Sequence, residues 1–462
     1  MRVDQRASGT PRQRGRWPAA AVALTALLGG CVHQDARPLA EGPDLASDAS
    51  QLSVDVSRIR LASLPAHPID LAKGVDPTDA AILAVLNSPD LAAKRAAAHV
   101  AEAQAFSAGL LPDPQLSLSA DVPVNPLAAV TAYGLTPSID FQALITHAAS
   151  LRAANAAAKQ ANLDLLWSEW GAAQQARQSA VTALIDEQKA AVLAKMDAEL
   201  AERSRQSGLA LARHDVTATV AGADLAAKVE ADAQLTTARR DAEKARGELN
   251  ALIGLDPSVR LPLIDAAGAA DPNPAELDAA LASLPQRRPD LLALQAGYAS
   301  QNANLRKAIL DQFPLMTLGY SRQRDNTGIL SNGIAATLAV PLFNRGRGDI
   351  QVQAATREQL AQEYRARLDQ TVADVAQARA DLAVEGADRR RLEADVPRLE
   401  AEARHARPAF AKGDMDSAAY LALDQTALKE AAALWDVRLG QRLAAIGLDT
   451  VLFLPPDAAP EP

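Results

Sequence analysis

The clearest alternation of apolar and polar positions lies at 314–350. From Pro314 the large residues Met316, Leu318 and Tyr320 alternate with Thr317, Gly319 and Ser321. Further on, Ile334, Ala336, Leu338, Val340 and Leu342 alternate with small or hydroxyl residues up to Phe343. Such alternation over about ten residues predicts a strand with one apolar and one polar face. About ten residues is also the length a tilted strand needs to cross a bilayer. The charged, turn-rich stretch 322–332 predicts the loop between two such strands. After Asn344-Arg345-Gly346-Arg347-Gly348 the period changes to about three and a half, which predicts a helix over 348–411. Ala361, Tyr364, Leu368, Val372, Val375 and Leu382 step by three and four, and Leu392, Val396, Leu399, Ala403 and Phe410 resume the stripe. That is coiled-coil spacing. Pro397 and Pro408 predict kinks toward the far end.

The same plan occurs twice. Pro89-Asp90-Leu91 recurs as Pro289-Asp290-Leu291, and the strand opening at Pro114 recurs at Pro314, each 200 residues further on. Arg213-His214-Asp215-Val216 matches Lys412-Gly413-Asp414-Met415, and Ala251–Leu255 matches Ala444–Leu448. Matches in the same order predict an internal repeat. The first repeat spans 76–255, with a β-hairpin at 114–141, and the second spans 275–450, with a β-hairpin at 314–343. Asp76-Pro77 predicts the first helix start, Asp76 as N-cap and Pro77 at the first helical position. That helix runs to about 110 with a pause at Asn87-Ser88-Pro89. In the first hairpin Leu116, Leu118, Ala120 and Val122 oppose Ser117, Ser119 and Asp121, and Tyr133, Leu135 and Ile139 oppose Thr136, Ser138 and Asp140. Pro137 removes one ladder donor there. Residues 142–213 hold almost no turn signal and predict a helix of roughly 100 Å at 1.5 Å per residue. His214-Asp215 turns the chain, and Thr217 caps the helix returning to Gly254. A linker, 256–274, joins the repeats. Helices over about 275–313 and 417–447 complete the second.

The chain has 462 residues, enough for two or three ordinary domains. Aromatics at 3% argue against a thick conventional core and suit alanine-rich helices that approach closely. The first thirty residues carry a different signal. Arg2, Arg6, Arg12, Arg14 and Arg16 precede a short apolar run that ends at Leu28-Gly29-Gly30-Cys31, a secretory leader with small residues before the cut. Residues 31–75, rich in Pro, Ala, Asp and Ser, predict an extended tether. Residues 451–462 predict a disordered tail.

Net charge is −9 and no basic cluster follows the leader, which argues against nucleic acid. The single cysteine excludes a disulfide framework. His33, His67, His99, His147, His214 and His405 show no metal-ligand spacing. His214 at a turn could touch a metal, although a turn residue is the plainer role. Gly346-Arg347-Gly348 lacks the Lys-Ser/Thr of a phosphate loop and reads as a strand–helix elbow. Trp167, Trp170 and Trp435 read as packing residues. No convergent acid–base or nucleophile set is present, so the sequence predicts neither an enzyme nor a bound cofactor or metal centre.

Four amphipathic strands cannot close a membrane barrel alone, and open edges in lipid are forbidden. Several chains must therefore share one barrel. With the duplication, the LPDP and RPDL helix–strand elements, PLFNRGRGDI and Leu-Gly-Gly-Cys31, the chain resembles the TolC-type outer-membrane factors over most of 76–450. PLFNRGRGDI looks more like the heavy-metal-efflux, CzcC-like branch. The resemblance implies a mainly α fold with long antiparallel coiled coils and four transmembrane strands per chain. It implies a homotrimer in the outer membrane that completes a twelve-stranded barrel, anchored in lipid through an acylated Cys31. A periplasmic adaptor and an inner-membrane pump of the RND type would dock at the helical tips. The duct would conduct metal cations or drugs. Ser117, Ser119, Asp121, Thr136, Ser138, Asp140, Thr317, Ser321 and Thr337 would line the barrel. The tips, Arg213, His214 and Asp215 with Lys412, Gly413, Asp414 and Asp416, would hold the closed end. Asp414 and Asp416 could form an acidic ring favouring cations, or simply sit in a turn and cap a helix. The family's gate acids lie about two turns into the returning helix, where this chain has Ala419 and Ala422; Asp424 is the nearest carboxylate. The alternative is a periplasmic adaptor lipoprotein with a bridging role, which would carry one helical hairpin flanked by Gly/Val-rich β-domains.

Overall fold

The computed structural model describes residues 36–455 apart from 37, 66, 125–129, 266–273, 314 and 341. The leader and Cys31 lie outside the described residues. The chain divides into two units, 1–44 and 45–462; in the first, residues 38–44 are exposed and form no helix or strand.

The second unit carries eight α-helices and four strands among the described residues. In chain order they are α1 (Pro77–Asn87), α2 (Pro89–Gly109), β1 (Gln115–Asp121), β2 (Ala132–Asp140), α3 (Phe141–Ala212), α4 (Ala218–Leu252), α5 (Pro274–Arg287), α6 (Pro289–Leu310), β3 (Leu315–Arg324), β4 (Leu330–Ala339), α7 (Arg347–Ala411) and α8 (Ser417–Leu452). The predicted starts and stops have visible causes. Asp76 accepts from Thr78 N and Asp79 N at 2.7 Å, and Asp79 reaches back to Asp76 N, a reciprocal capping box. Thr217 caps α4 and Asp416 caps α8. The two long-helix reversals are built alike. His214 (φ 66°) and Gly413 (φ 79°) take the left-handed conformation, and Asp215 N and Asp414 N reach back to Ala210 O and Ala409 O at 2.9 Å.

The strands form one antiparallel sheet, β1-β2-β3-β4. Strand β2 pairs as its proline allows: β2 and β3 register at Leu135↔Arg322 and again at Ser138↔Gly319, with no pairing to β3 at Thr136 or Pro137, which pair with β1 instead. The second hairpin loop is tighter than 322–332, because β3 continues to Arg324 and β4 starts at Leu330. Asp325 Oδ1 holds that turn by accepting from Thr327 N and Ile329 N, each at 2.9 Å. The two hairpins join their helices differently. Helix α3 begins at Phe141 directly after β2, with Asp140 accepting from Ala143 N at 3.1 Å. Residues 340–346 separate β4 from α7 and include the left-handed pair Arg345 and Gly346.

Each long helix is packed in two halves. Toward the sheet, α3 lies against α2 and α6; toward the reversal it pairs with α4. On α4, Ala227, Ala231, Leu235, Ala238, Ala242, Ala245 and Leu249 are buried in steps of three and four, so small side chains let the axes approach. Helices α7 and α8 repeat this pairing. Between the halves, α1, α5, the start of α6, mid-α3 and the ends of α4 and α8 bury the larger residues: Ile82, Leu83, Trp170, Leu249, Ile253, Leu284 and Leu291 are all nearly inaccessible. Trp170 lies edge-on to Phe453, centroids 4.9 Å apart, and donates to Thr450 O.

Three expectations are corrected. Residues 45–75 are no free tether: Leu52, Leu61, Leu64 and Val75 are buried against α1 and mid-α3, and Ala46 and Val75 bridge to Leu255 and Leu263. Their apolar residues are irregularly spaced, so no period announced them. The linker, 256–274, forms no helix or strand over 256–265, although Leu261 within it is buried; 266–273 lies outside the described residues. The tail begins later than 451, since α8 runs to Leu452 and Phe453 packs on Trp170; 456–462 lies outside the described residues. On α7, Val372 is 55% exposed while Thr371 is 1% exposed, because Thr371 Oγ1 bonds Arg367 O at 2.7 Å and accepts from Arg288. Pro397 and Pro408 sit within one continuous helix.

Candidate conduction surface and helical tips

Because paired residues share a face, the register assigns each strand position. Ser117↔Thr136, Ser119↔Gly134, Ser138↔Gly319, Asp140↔Thr317 and Thr317↔Thr337 run across one face. Asp121 and Ser321 lie on it too, each an even number of residues from these positions. All nine barrel residues singled out in the sequence therefore share a face. The opposite face carries Leu116, Leu118, Tyr133, Leu135, Ile139, Leu318, Tyr320, Ile334 and Leu338. This apolar face covers no core: Leu118 is 73%, Tyr320 52% and Ile334 86% exposed. A contiguous exposed apolar sheet is a surface made to be covered by something apolar. Beneath the sheet, Gln142 Nε2 donates to Leu310 O at 3.0 Å, tying the start of α3 to the end of α6.

At the far ends, the predicted tip residues divide into two turns, one with Arg213, His214 and Asp215, the other with Lys412, Gly413, Asp414 and Asp416. No hydrogen bond or ion pair joins the two turns among the described residues. Asp416 accepts from Ala419 N at 3.4 Å, the capping role. Asp424 is different. Its Oδ2 takes a 2.7 Å hydrogen bond from Arg203 Nη1 on α3. Arg203 Nε also lies 2.9 Å from Asp224 Oδ1 on α4, an ion pair without hydrogen-bond alignment. The guanidinium sits 5.8 Å from the Tyr420 ring, and that ring stacks on Phe410 of α7 at 4.8 Å. Burial, then the Asp424 charge, pushes the Tyr420 hydroxyl above its usual range. Arg203 is thus the polar link between the two hairpins near their tips, beside the apolar contact of Leu428 with Leu200, Ala227 and Ala231. Sequence reasoning missed Arg203, Asp224 and Tyr420; one arginine in a polar helix carries no local signal, and its partner Asp424 is 221 residues away.

Two further polar groups sit higher up. Asp186 on α3 is raised to about 6 by burial first, then by Asp241 and Asp436, with Lys189 opposing. Lys189 itself pairs with Asp436. Arg288 and Asp290 form a buried fork, 2.7 and 3.0 Å, and Arg288 stacks over Trp167 at 4.7 Å. Among the described residues no group of His, Cys, Asp and Glu could hold a metal, and no helix is long and apolar enough to cross a membrane.

This sheet-and-coil arrangement is the TolC-type fold of outer-membrane channels. Three solved structures show the likeness. The outer-membrane channel OprN is 16% identical with a TM-score of 0.71, matching 91% of this chain and 98% of its own. The Campylobacter jejuni CmeC outer membrane channel is 15% identical with a TM-score of 0.70, matching 81% and 85%. The open state of the Neisseria gonorrhoeae MtrE outer membrane channel is 18% identical with a TM-score of 0.63, matching 90% and 98%. No protein-family model and no curated protein matches the sequence. The adaptor alternative expects a single helical hairpin; the described residues hold two, joined to one sheet.

Proposed function

We propose that three copies of this chain complete a twelve-stranded barrel in the outer membrane and a helical duct beneath it. Substrate from an inner-membrane pump passes through, with a periplasmic adaptor seated at the tips. The observation that carries this reading is the sheet. One face carries the large apolar side chains and is exposed, the other carries hydroxyls and carboxylates among small residues, and neither outer edge, β1 nor β4, is paired among the described residues. An edge of that kind cannot lie in lipid unless another strand covers it. Matching copies supply one, since β4 of one chain can meet β1 of the next. The fold's solved examples are outer-membrane channels, which supports the same reading.

The chain does conduction rather than chemistry. The acids of the strands, Asp121 and Asp140, both stand on the polar face, so the lumen favours cations. Metal cations fit that lining; drugs pass if the pump supplies them. Asp424, held by Arg203, belongs to the closed end, and Cys31 is the acylated residue.

Purified protein in planar bilayers should give discrete conductance steps from a trimeric species. Under a tenfold KCl gradient the reversal potential should report cation preference, and Asp121→Asn should move it toward zero. A monomer that yields no steps in any lipid would end the proposal.

A further inference from the structure

The four strands hold four charged residues, and the faces sort them by sign. Asp121 and Asp140 stand on the polar face, whereas Arg322 and Arg324 stand on the apolar one. Arg322 registers with Leu135 and Asn332, and Arg324 with Tyr133 and Leu330. They lie two residues apart on one face, about 7 Å, at the end of the sheet away from the helices. Neither makes a hydrogen bond or ion pair among the described residues. The neighbouring acid, Asp325, is taken up by Thr327 and Ile329. Both edges of β3 are occupied by β2 and β4, so a second copy joining at β1 or β4 does not cover this patch.

An unpaired arginine is expensive on a lipid-facing surface except at its rim, where the guanidinium meets headgroups. Here two sit in the outermost rows of the apolar band, with Tyr133 and Tyr320 beside them as an interfacial girdle. A guanidinium pair suits phosphate oxygens through forked hydrogen bonds, and the band below suits acyl chains. We propose that Arg322 and Arg324 form a headgroup site on the outer wall of the barrel for a phosphorylated lipid of the outer leaflet. The site rests on the barrel reading above.

The test uses full-length trimers in detergent, titrated with bis-phosphorylated lipid A and with its dephosphorylated form, reading lipid bound by native mass spectrometry. Wild type should bind the phosphorylated lipid more tightly, and inorganic phosphate at millimolar concentration should not compete it away. Arg322→Gln with Arg324→Gln should weaken that binding about fivefold per arginine, about twenty-five-fold together. Arg322→Lys with Arg324→Lys, which keeps the charge but loses the fork, should fall between wild type and the glutamine pair. Equal binding of both lipids by wild type, or full retention in the glutamine pair, would overturn the site. Competition by inorganic phosphate would also overturn it, leaving an anion site rather than a lipid one. Bilayer conductance of the same preparations is read in parallel. Its loss in wild type would sink the channel, whereas its persistence with no lipid discrimination would sink only this site.

Discussion

Replacing Arg203 with alanine tests whether the tips are latched by charge. Arg203 is 20% exposed, Asp224 6% and Asp424 21% at the side chain. Breaking a fully buried pair costs about 3–5 kcal/mol, because the surviving charge is left without a partner. That figure applies to Asp224. Asp424 keeps partial solvent access, so its share is about 1 kcal/mol or less, and the Tyr420 ring adds about 0.5 kcal/mol. Asp224 shares a hairpin with Arg203, so losing that pair lowers stability without favouring opening. Only the Asp424 and Tyr420 contacts cross between hairpins, together about 1.5 kcal/mol or less, which shifts an opening equilibrium about tenfold. The link joins α3, α4 and α8 close to the reversals, so its loss should free one hairpin from the other there. In bilayers Arg203→Ala should therefore give larger or longer-lived conductance steps. Arg203→Lys, which keeps the charge but loses the fork, should fall between. If thermal dissociation of the trimer drops in Arg203→Ala while conductance and dwell times match wild type, Arg203 merely binds hairpins together and the latch is refuted.

Other outcomes follow from the packing and the charges. Asp186 has a folded-state value near 6 against an ordinary 3.8, so the folded chain holds its proton more tightly; its burden is present above pH 6 and disappears as pH falls from 6 to 3.8. Asp186→Asn should raise the melting temperature at pH 8 by an amount worth up to about 2–3 kcal/mol and change nothing at pH 3.5, as circular dichroism melts would report; equal effects at both pH values would rule this out. Trp170→Ala should cost about 3–5 kcal/mol, since it empties a site with no solvent access and removes the shorter of the two hydrogen bonds to Thr450 O. Trp435→Ala, at a half-buried ring under Arg438, should cost well under half as much, and a reversed order in chemical-denaturation midpoints would contradict the packing described. Cys31→Ser should abolish incorporation of labelled palmitate yet leave trimers on native gels; disappearance of the trimer would mean the lipid, not the sheet, holds the assembly.

What could be read from the sequence was whatever repeats locally. Alternation gave the four strands their faces, and the register then collected residues that the eye had picked singly, Ser119 with Gly134 and Asp140 with Thr317. Caps at Asp76, Thr217 and Asp416 were legible because their partners lie within three residues. Residues 45–75 were not, since burial there depends on α1 and α3, to which no spacing points. The stripe on α7 ran through Val372 on hydrophobicity alone, whereas Thr371 is buried because it meets a buried arginine from far along the chain. The two copies differ in one respect. Asp290 is buried by Arg288, but the first copy has Ser88 at that place, and Asp90 is left at the surface with Lys94, 3.4 Å away. Sequence identity of the motif did not carry the role of its acid. Arg203 stayed invisible for the reason that makes it interesting: its meaning lies wholly in residues distant in the chain.

The unequal joints between strand and helix carry a mechanical consequence. Where β2 flows into α3 without a spacer, the two act as a single rigid lever, so any turn of α3 about its long axis must torque the sheet. Where β4 meets α7, the intervening elbow can absorb such rotation, as a universal joint does. Motion at the tips should thus be felt at the membrane through one half of each subunit and damped in the other.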